Sequence, residues 1–237
     1  MSSGLAFSQM NNKLVFFSAL VLMLLVYGFR QAIFIAPTEL TMGNIQRIFY
    51  YHVPSAFVAF TCFFANLIAS LWYLRSRRLS ADAWALATAE VGVIFCTIVL
   101  VTGPLWARPV WGIWWTWDAR LTSTLLLWLI YVSYLLLRRF STSGQTPVLA
   151  AVLAIFGSVD VVFVYMSIRW FRTQHPQPVM GPGGGGLDPR MGYALLANFI
   201  AFAAYGALLV TLRRNLELRR QRIEERHAMG ALAGAAR

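Results

Sequence analysis

Tryptophan is concentrated in one short segment of this chain. The chain holds nine tryptophans, and five of them fall within residues 103–123, which read G-P-L-W-A-R-P-V-W-G-I-W-W-T-W-D-A-R-L-T-S. Tryptophan favours membrane–water interfaces, but an interfacial belt normally spreads such residues around a bundle. Four tryptophans in seven consecutive positions, followed by an aspartate, exceed that expectation. The segment is therefore a candidate ligand-binding surface, with an ordinary aromatic belt as the simpler alternative.

The spacing of these residues predicts an aromatic face on a short helix. Trp111, Trp114, Trp115 and Asp118 stand at positions i, i+3, i+4 and i+7, which share one face of an α-helix, whereas Trp117 falls to the side. A helix of this kind lying along the outer membrane surface would form a flat apolar shelf with an acid at one end. Such a shelf suits a large planar aromatic ligand.

Two of the three histidines are expected at the same depth as these tryptophans. His52 precedes Arg75, at the far end of its apolar segment, by 23 residues, or about 34 Å of helix. His175 lies in the loop that follows the apolar segment beginning at Pro147. Neutral imidazole is a common iron ligand, and two facing histidines could form a bis-axial haem site. Each histidine alone is more simply an interfacial residue bonded to water or a carbonyl.

Haem also carries two propionates, which need cationic partners at the interface. Arg120, two residues after Asp118, is the best placed of the outer arginines. Arg47, Arg108 and Arg172 are weaker candidates. Any of these could instead meet lipid headgroups or pair with Asp118.

Membrane-spanning helices are the elements that must position these residues. The chain has 237 residues, of which 59% are hydrophobic and only 12% charged, against about 25% charged in a soluble domain. A span needs roughly 20 consecutive apolar residues, and six stretches meet this condition. They cover about 14–35, 48–74, 83–105, 121–137, 147–169 and 191–212. The sequence thus predicts one all-α integral membrane domain over 1–237, with the tryptophan-rich loop at 106–120.

The distribution of charge orients the predicted spans. Of the 20 lysines and arginines, 13 lie on the side that carries both termini and 7 on the other side. The positive-inside rule then places both termini in the cytoplasm and the tryptophan-rich loop outside. The first apolar run is interpreted as a retained helix, because it is long for a signal peptide and no small-residue cleavage site follows it. The basic tail 213–237 is expected to be a helical extension that is solvated or lies against lipid headgroups.

Several further residues leave alternatives open. Glu90 and Asp160 fall within predicted spans, where a carboxyl group is costly and often functional. Either could be protonated and hydrogen-bonded between helices, or could contact a partner subunit. Cys62 and Cys96 are interpreted as small core residues. The Pro- and Gly-rich stretch 176–189 could be a lid beside the second histidine or simple slack.

The sequence carries no motif for catalysis or covalent haem attachment. It has no C-x-x-C-H and no P-loop, so any ATP chemistry would belong to a partner. No second acid–base group is positioned by sequence beside either intramembrane acid. We therefore expect a binding protein and not an enzyme.

The motif W-G-I-W-W-T-W-D, from Trp111 to Asp118, resembles the tryptophan-rich signature of the haem-handling proteins of cytochrome c maturation. Its continuation D-A-R-L-T-S, ending at Ser123, resembles the CcmC branch, also called haem exporter protein C. The related CcmF and CcsA branches typically follow the aspartate with proline and are much longer. The resemblance runs over about 46–212 and includes Y-H-V-P-S-A, L-V-T-G-P-L-W and W-F-R-T-Q-H. One departure is the Pro- and Gly-rich stretch after His175, which is usually more polar in the family.

The resemblance implies a haem site on the periplasmic face of a bacterial inner membrane. It implies that His52 and His175 are the axial ligands of non-covalently held haem b. Because the propionates need a cationic partner, as argued above, we expect Arg120 to lie near a propionate. It also implies that the tryptophan signature presents the haem edge to the haem chaperone CcmE; that signature maps onto Trp111, Trp114, Trp115, Trp117 and Asp118. Further implied partners are the ABC transporter subunits CcmA and CcmB and the small subunit CcmD. The charge distribution separately indicates membrane lipids as partners and argues against nucleic acid.

Two other functions stay open beside haem presentation. A haem channel through the bilayer would need a polar or haem-sized path, for which the sequence offers only Glu90 and Asp160. A scaffold whose outer loop only docks partner proteins would bind no haem.

Overall fold

A computed structural model describes residues 12–175 and 186–235 and contains six long helices in those ranges. The helices are α1 (Asn12–Arg30), α2 (Phe49–Ser76), α3 (Leu79–Trp111), α4 (Ala119–Phe140), α5 (Thr146–Trp170) and α6 (Pro189–Ala235). All six are long and apolar enough to cross a membrane, which confirms the predicted all-α fold. A π-helical turn, Gln31–Ile35, follows α1, and a 3₁₀ turn, Asn44–Ile48, precedes α2. Most of the Pro- and Gly-rich stretch, residues 176–185, lies outside the described residues.

Aromatic packing against small residues forms the centre of the bundle. Phe63 of α2 stacks on Tyr131 of α4, with ring centroids 3.9 Å apart and planes 19° from parallel. Gly92 of α3 makes room for this stack, because a Cβ there would lie 2.5 Å from a Phe63 ring carbon. Small residues of this kind let membrane helices approach closely. Cys62 and Cys96 are buried free thiols in the same core, as predicted.

Ion pairs join the helices at the end of the bundle that holds the α2–α3 and α4–α5 connections. Arg138 of α4 donates to both carboxylate oxygens of Asp82 at 2.6 and 2.7 Å; the Asp82 side chain is buried and that of Arg138 is largely buried. Arg213 of α6 donates to Glu90 of α3 and, at 3.2 Å, to Glu217. Glu90 is therefore held between helices by an ion pair, which was neither of the two arrangements suggested by the sequence, a protonated hydrogen-bonded group or a contact with a partner subunit.

The opposite end of the bundle, which we call the tryptophan end, carries the segment 112–118 between α3 and α4. The expected separate helix over the tryptophans is wrong, since α3 continues to Trp111 and stops there. Gly112 takes a left-handed conformation (φ 78°) and its N–H donates to the Arg108 carbonyl at 3.0 Å. Asp118 is already the N-cap of α4. The five residues between these two caps are too few to form a stable α-helix of their own.

Helix α6 is much longer than one membrane span. Its 47 residues extend over about 70 Å, against roughly 30 Å of hydrocarbon. The basic tail therefore continues this helix, and its side chains from Arg222 to Leu232 are exposed. Contact of the tail with lipid headgroups stays a prediction. Near its other end, α6 holds α1 through Asn198, whose amide donates to the Gly28 carbonyl at 3.0 Å.

Replacing Gly92 with alanine should destabilise the bundle. The new methyl group overlaps the Phe63 ring, which cannot swing away because it is stacked on Tyr131. Overpacking of this kind costs about 1–3 kcal/mol, which a thermal unfolding curve in detergent detects as a lower midpoint. Gly192→Ala is the matched control, since a Cβ there meets nothing within 4 Å. Equal midpoints for the two variants would contradict this account of the core.

Candidate functional site

Four parts of the chain that are distant in sequence meet at the tryptophan end. They are the first turn of α2 with His52, the last turns of α3, the segment 112–118 with the start of α4, and the segment 171–175 that ends at His175. His52 interacts electrostatically with both His175 and Arg120. The structure thus brings together the two histidines and the arginine that the sequence singled out.

The tautomer of His52 follows from its hydrogen bond to α3. Its Nδ1 lies 2.8 Å from the Thr102 hydroxyl, and that hydroxyl lies 2.6 Å from the Ile98 carbonyl. The carbonyl can only accept, so the single hydroxyl proton points to Ile98 and the hydroxyl oxygen accepts from Nδ1–H. Nε2 then carries the lone pair. A neutral imidazole whose other nitrogen is held in this way is the usual form of a metal ligand.

The surroundings of His52 contain residues that the sequence interpretation did not select. His52 is only 8% exposed, and its ring meets Trp106 edge-on with centroids 6.0 Å apart. The α3 backbone passes close to the imidazole edge at Gly103, where a Cβ would lie 3.6 Å from His52 Cε1, an ordinary van der Waals contact. Thr102 and Trp106 stand one helical turn apart in L-V-T-G-P-L-W. This i, i+4 spacing could have predicted that they share one face of α3.

The carboxylate of Asp118 is bonded within the protein. Its Oδ1 accepts from the Leu121 N–H at 2.9 Å and so caps α4. Its Oδ2 accepts from the Thr116 hydroxyl at 3.1 Å and from the Gln174 N–H at 3.0 Å. Asp118 therefore links the tryptophan segment to the residue that precedes His175.

Arg120 lies between helices in the first turn of α4. Its guanidinium is partly buried and donates through Nη1 to the Val164 carbonyl of α5. It also interacts electrostatically with Asp118 and with His52. This bond to Val164 uses one of the five N–H groups that a guanidinium carries. A partly buried cation is thus present beside His52.

The tryptophans of the segment 112–118 do not form one flat shelf. Trp114 and Trp117 are 56% and 77% exposed. Trp117 does not stand apart as predicted, because its ring packs edge-on against Trp115 with centroids 5.8 Å apart. The segment is not helical, so the i, i+3, i+4 spacing no longer places the residues on a common face. Trp111, at the end of α3, is also on the surface.

An apolar groove of about 310 Å³ lies beside Trp115 and Trp117, between α3 and α4. Its other lining residues are Leu100, Pro104 and Leu125. Leu100 and Pro104 are each about 160° around α3 from Thr102, at 3.6 residues per turn. The groove is therefore on a different side of α3 from His52. Within the described residues, the buried indole N–H of Trp115 has no hydrogen-bond acceptor.

Comparison with known proteins gives a consistent set of relatives. The family described as "Heme exporter protein C" (CcmC) matches residues 1–229. "Heme exporter protein C" of Bradyrhizobium diazoefficiens is 35% identical over 216 residues, which are 90% of this chain and 82% of the relative. The Escherichia coli K12 protein of the same name is 34% identical over 185 residues, covering 77% and 75%. A "Putative cytochrome c biosynthesis ccmC-like mitochondrial protein" of Marchantia polymorpha is 30% identical over 174 residues, covering 73% of each chain.

Thr102 should set the protonation of His52 before any ligand binds. In ¹⁵N-histidine-labelled protein without ligand, we expect His52 to be protonated at Nδ1 and unprotonated at Nε2. Thr102→Val removes the acceptor and should yield a mixture of tautomers, whereas Thr102→Ser keeps the hydroxyl and should retain the Nδ1–H form. NMR of the imidazole nitrogens checks this. A wild-type His52 protonated at Nε2 would contradict the assignment.

Proposed function

This chain belongs to the CcmC family, haem exporter protein C, and on that premise we propose that it holds haem at the tryptophan end and presents it to a haem chaperone. Its relatives act in haem export and cytochrome c biosynthesis, as their names state. The haem is cargo that is bound without a covalent bond and passed on. We place this step on the periplasmic side of the bacterial inner membrane.

One observation carries the proposal: the hydrogen bond from His52 to Thr102 leaves Nε2 as the free lone pair, with His175 close by. We assign these two histidines as the axial ligands of haem b. Two imidazoles fill both axial positions of the iron, so oxygen finds no open coordination site. Bis-histidine ligation therefore suits a protein that carries haem and performs no chemistry on it.

The charge at the site supports a ligand with carboxylates. Arg120 lies near His52, and its guanidinium retains donors beyond the one bound to Val164. We assign Arg120 as the partner of a haem propionate, since a guanidinium binds a carboxylate strongly where water is partly excluded.

The tryptophans divide between two tasks in this proposal. Trp106 packs against His52 and supports the ligand, while Trp111, Trp114 and Trp117 face outward. Large exposed aromatic residues are typical anchors of protein–protein interfaces. We assign this outer surface, with the haem edge beside it, to recognition by CcmE. CcmA, CcmB and CcmD then bind other surfaces of the bundle.

The packing of the bundle does not favour the haem channel. In the described residues, side chains fill the centre of the bundle, chiefly Phe63, Tyr131, Phe95 and small residues. The carboxylate of Glu90 is paired with Arg213 and does not line a polar path. The scaffold alternative is distinguished from haem binding by one measurement: it predicts that the purified protein shows no Soret absorbance.

Removing either ligand histidine should change the haem spectrum. Wild-type protein loaded with haem b is expected to show a low-spin, six-coordinate spectrum. His52→Ala and His175→Ala should each leave five-coordinate, high-spin iron or no bound haem. His227→Ala is the matched control, since it replaces the third histidine, which is exposed on the α6 extension. A high-spin wild-type spectrum that neither substitution changes would exclude this ligand assignment.

Replacing Trp114 and Trp117 together with alanine should slow haem transfer to CcmE while haem stays bound. Both side chains are exposed, and truncation of interface tryptophans costs more than ~1.4 kcal/mol, or about tenfold. Transfer is measured by the haem-dependent absorbance of the separated chaperone. Trp72→Ala, at an exposed position near the opposite end of α2, is the control. Unchanged transfer, or loss of haem from the double variant, would contradict the display role.

A further inference from the structure

We propose that Asp118 is a positioning residue for His175, which it holds in place through the backbone of Gln174. This inference rests on the proposed function, in which His175 is an axial ligand. The residue was predicted as part of a haem-contacting surface, and its hydrogen bonds point to a different task.

The first step is the orientation of the carboxylate. Asp118 has the extended backbone of an N-cap (φ −75°, ψ 166°), and its Oδ1 accepts from the Leu121 N–H. Capping satisfies a backbone donor that has no partner within α4. Because one oxygen is held in this way, the second oxygen has a fixed direction. That direction is toward the segment 171–175.

The second step is the bond across the fold. Asp118 Oδ2 accepts from the Gln174 N–H at 3.0 Å, across 56 residues of sequence. A backbone donor to an ionised carboxylate makes a charge-assisted bond, which is stronger than a neutral one. The segment is also fixed at its start, because the Phe171 N–H ends α5 by donating to the Ser167 carbonyl at 2.9 Å. Residues 172 and 173 are the only ones between these two anchors.

The third step concerns His175 itself. The Thr173 hydroxyl donates to the His175 carbonyl at 3.2 Å, so the backbone of the histidine is held on both sides of its peptide bond with Gln174. Ordering a loop upon ligand binding costs conformational entropy that is subtracted from the affinity. A segment that is already ordered avoids most of that loss. Asp118 therefore keeps His175 ready to bind iron opposite His52.

Asp118→Asn separates the two tasks of the carboxylate. Asparagine is as good an N-cap as aspartate, so the bond to Leu121 remains. Its remaining amide group can only donate, so it cannot accept from Gln174. Thr116→Val is the matched control, since it removes the other hydrogen bond to Oδ2 and leaves the bond to Gln174 intact. Asp118→Ala removes both the cap and the tether.

The experiment has two readouts. In haem-free protein, amide hydrogen exchange over 171–175 should speed up about tenfold or more in Asp118→Asn, with exchange in α4 unchanged. In haem-loaded protein, the same variant should show a high-spin fraction and about tenfold weaker haem binding, which corresponds to ~1.4 kcal/mol. Thr116→Val should match wild type in both readouts. Asp118→Ala should additionally raise exchange at the start of α4.

The outcomes distinguish this inference from the function on which it rests. A low-spin wild type, together with an Asp118→Asn variant that is equally low-spin and exchanges no faster, overturns the positioning role and leaves bis-histidine ligation standing. A wild type whose haem spectrum is insensitive to His175→Ala overturns the proposed function, and the positioning role with it.

Discussion

Helix ends in apolar surroundings must find partners for their terminal backbone groups, and this constraint shapes the whole site. Gly112 ends α3 and Asp118 begins α4, each by satisfying such groups. Because the two caps are close in sequence, the residues between them stay irregular and Trp114 and Trp117 face outward. The same cap sets Arg120 in the first turn of α4 and leaves the second carboxylate oxygen of Asp118 for Gln174.

Hydropathy and composition predicted the architecture well, because a membrane span is a property of one continuous segment. Depth counting likewise brought His52 and His175 to one end, since helical rise is uniform. The prediction of a helix over the tryptophans was wrong because the i, i+3, i+4 spacing rule takes no account of Gly112, whose left-handed conformation ends α3. The hydrogen bond between Asp118 and Gln174 could not be predicted from the sequence. Its donor is a backbone N–H, which every residue except proline carries, so the residue type at position 174 does not reveal it.

The two ends of the bundle use polar groups differently. At the end opposite the tryptophans, Arg138 and Asp82 satisfy each other, as do Arg213 and Glu90, so these charges hold helices in register. A largely buried pair such as Arg138–Asp82 is weak evidence of net stability, because removing two charges from water costs about as much as their attraction returns. At the tryptophan end, the hydrogen bond to Thr102 leaves the lone pair of the His52 imidazole on Nε2, and the indole N–H of Trp115 lacks an acceptor among the described residues.

The residues of the site are synthesised at different times, because they are distant from one another in sequence. His52 and Thr102 both belong to the α2–α3 pair, so their hydrogen bond can form once three helices have been inserted. Asp118 and Arg120 follow with α4, and His175 emerges only after α5 has crossed the bilayer. On the proposed ligation, a nascent chain offers iron a single imidazole until its fifth helix is in place. On that ligation, six-coordinate binding of haem is restricted to molecules whose insertion is nearly finished, and a stalled or truncated chain offers the iron one axial imidazole at most.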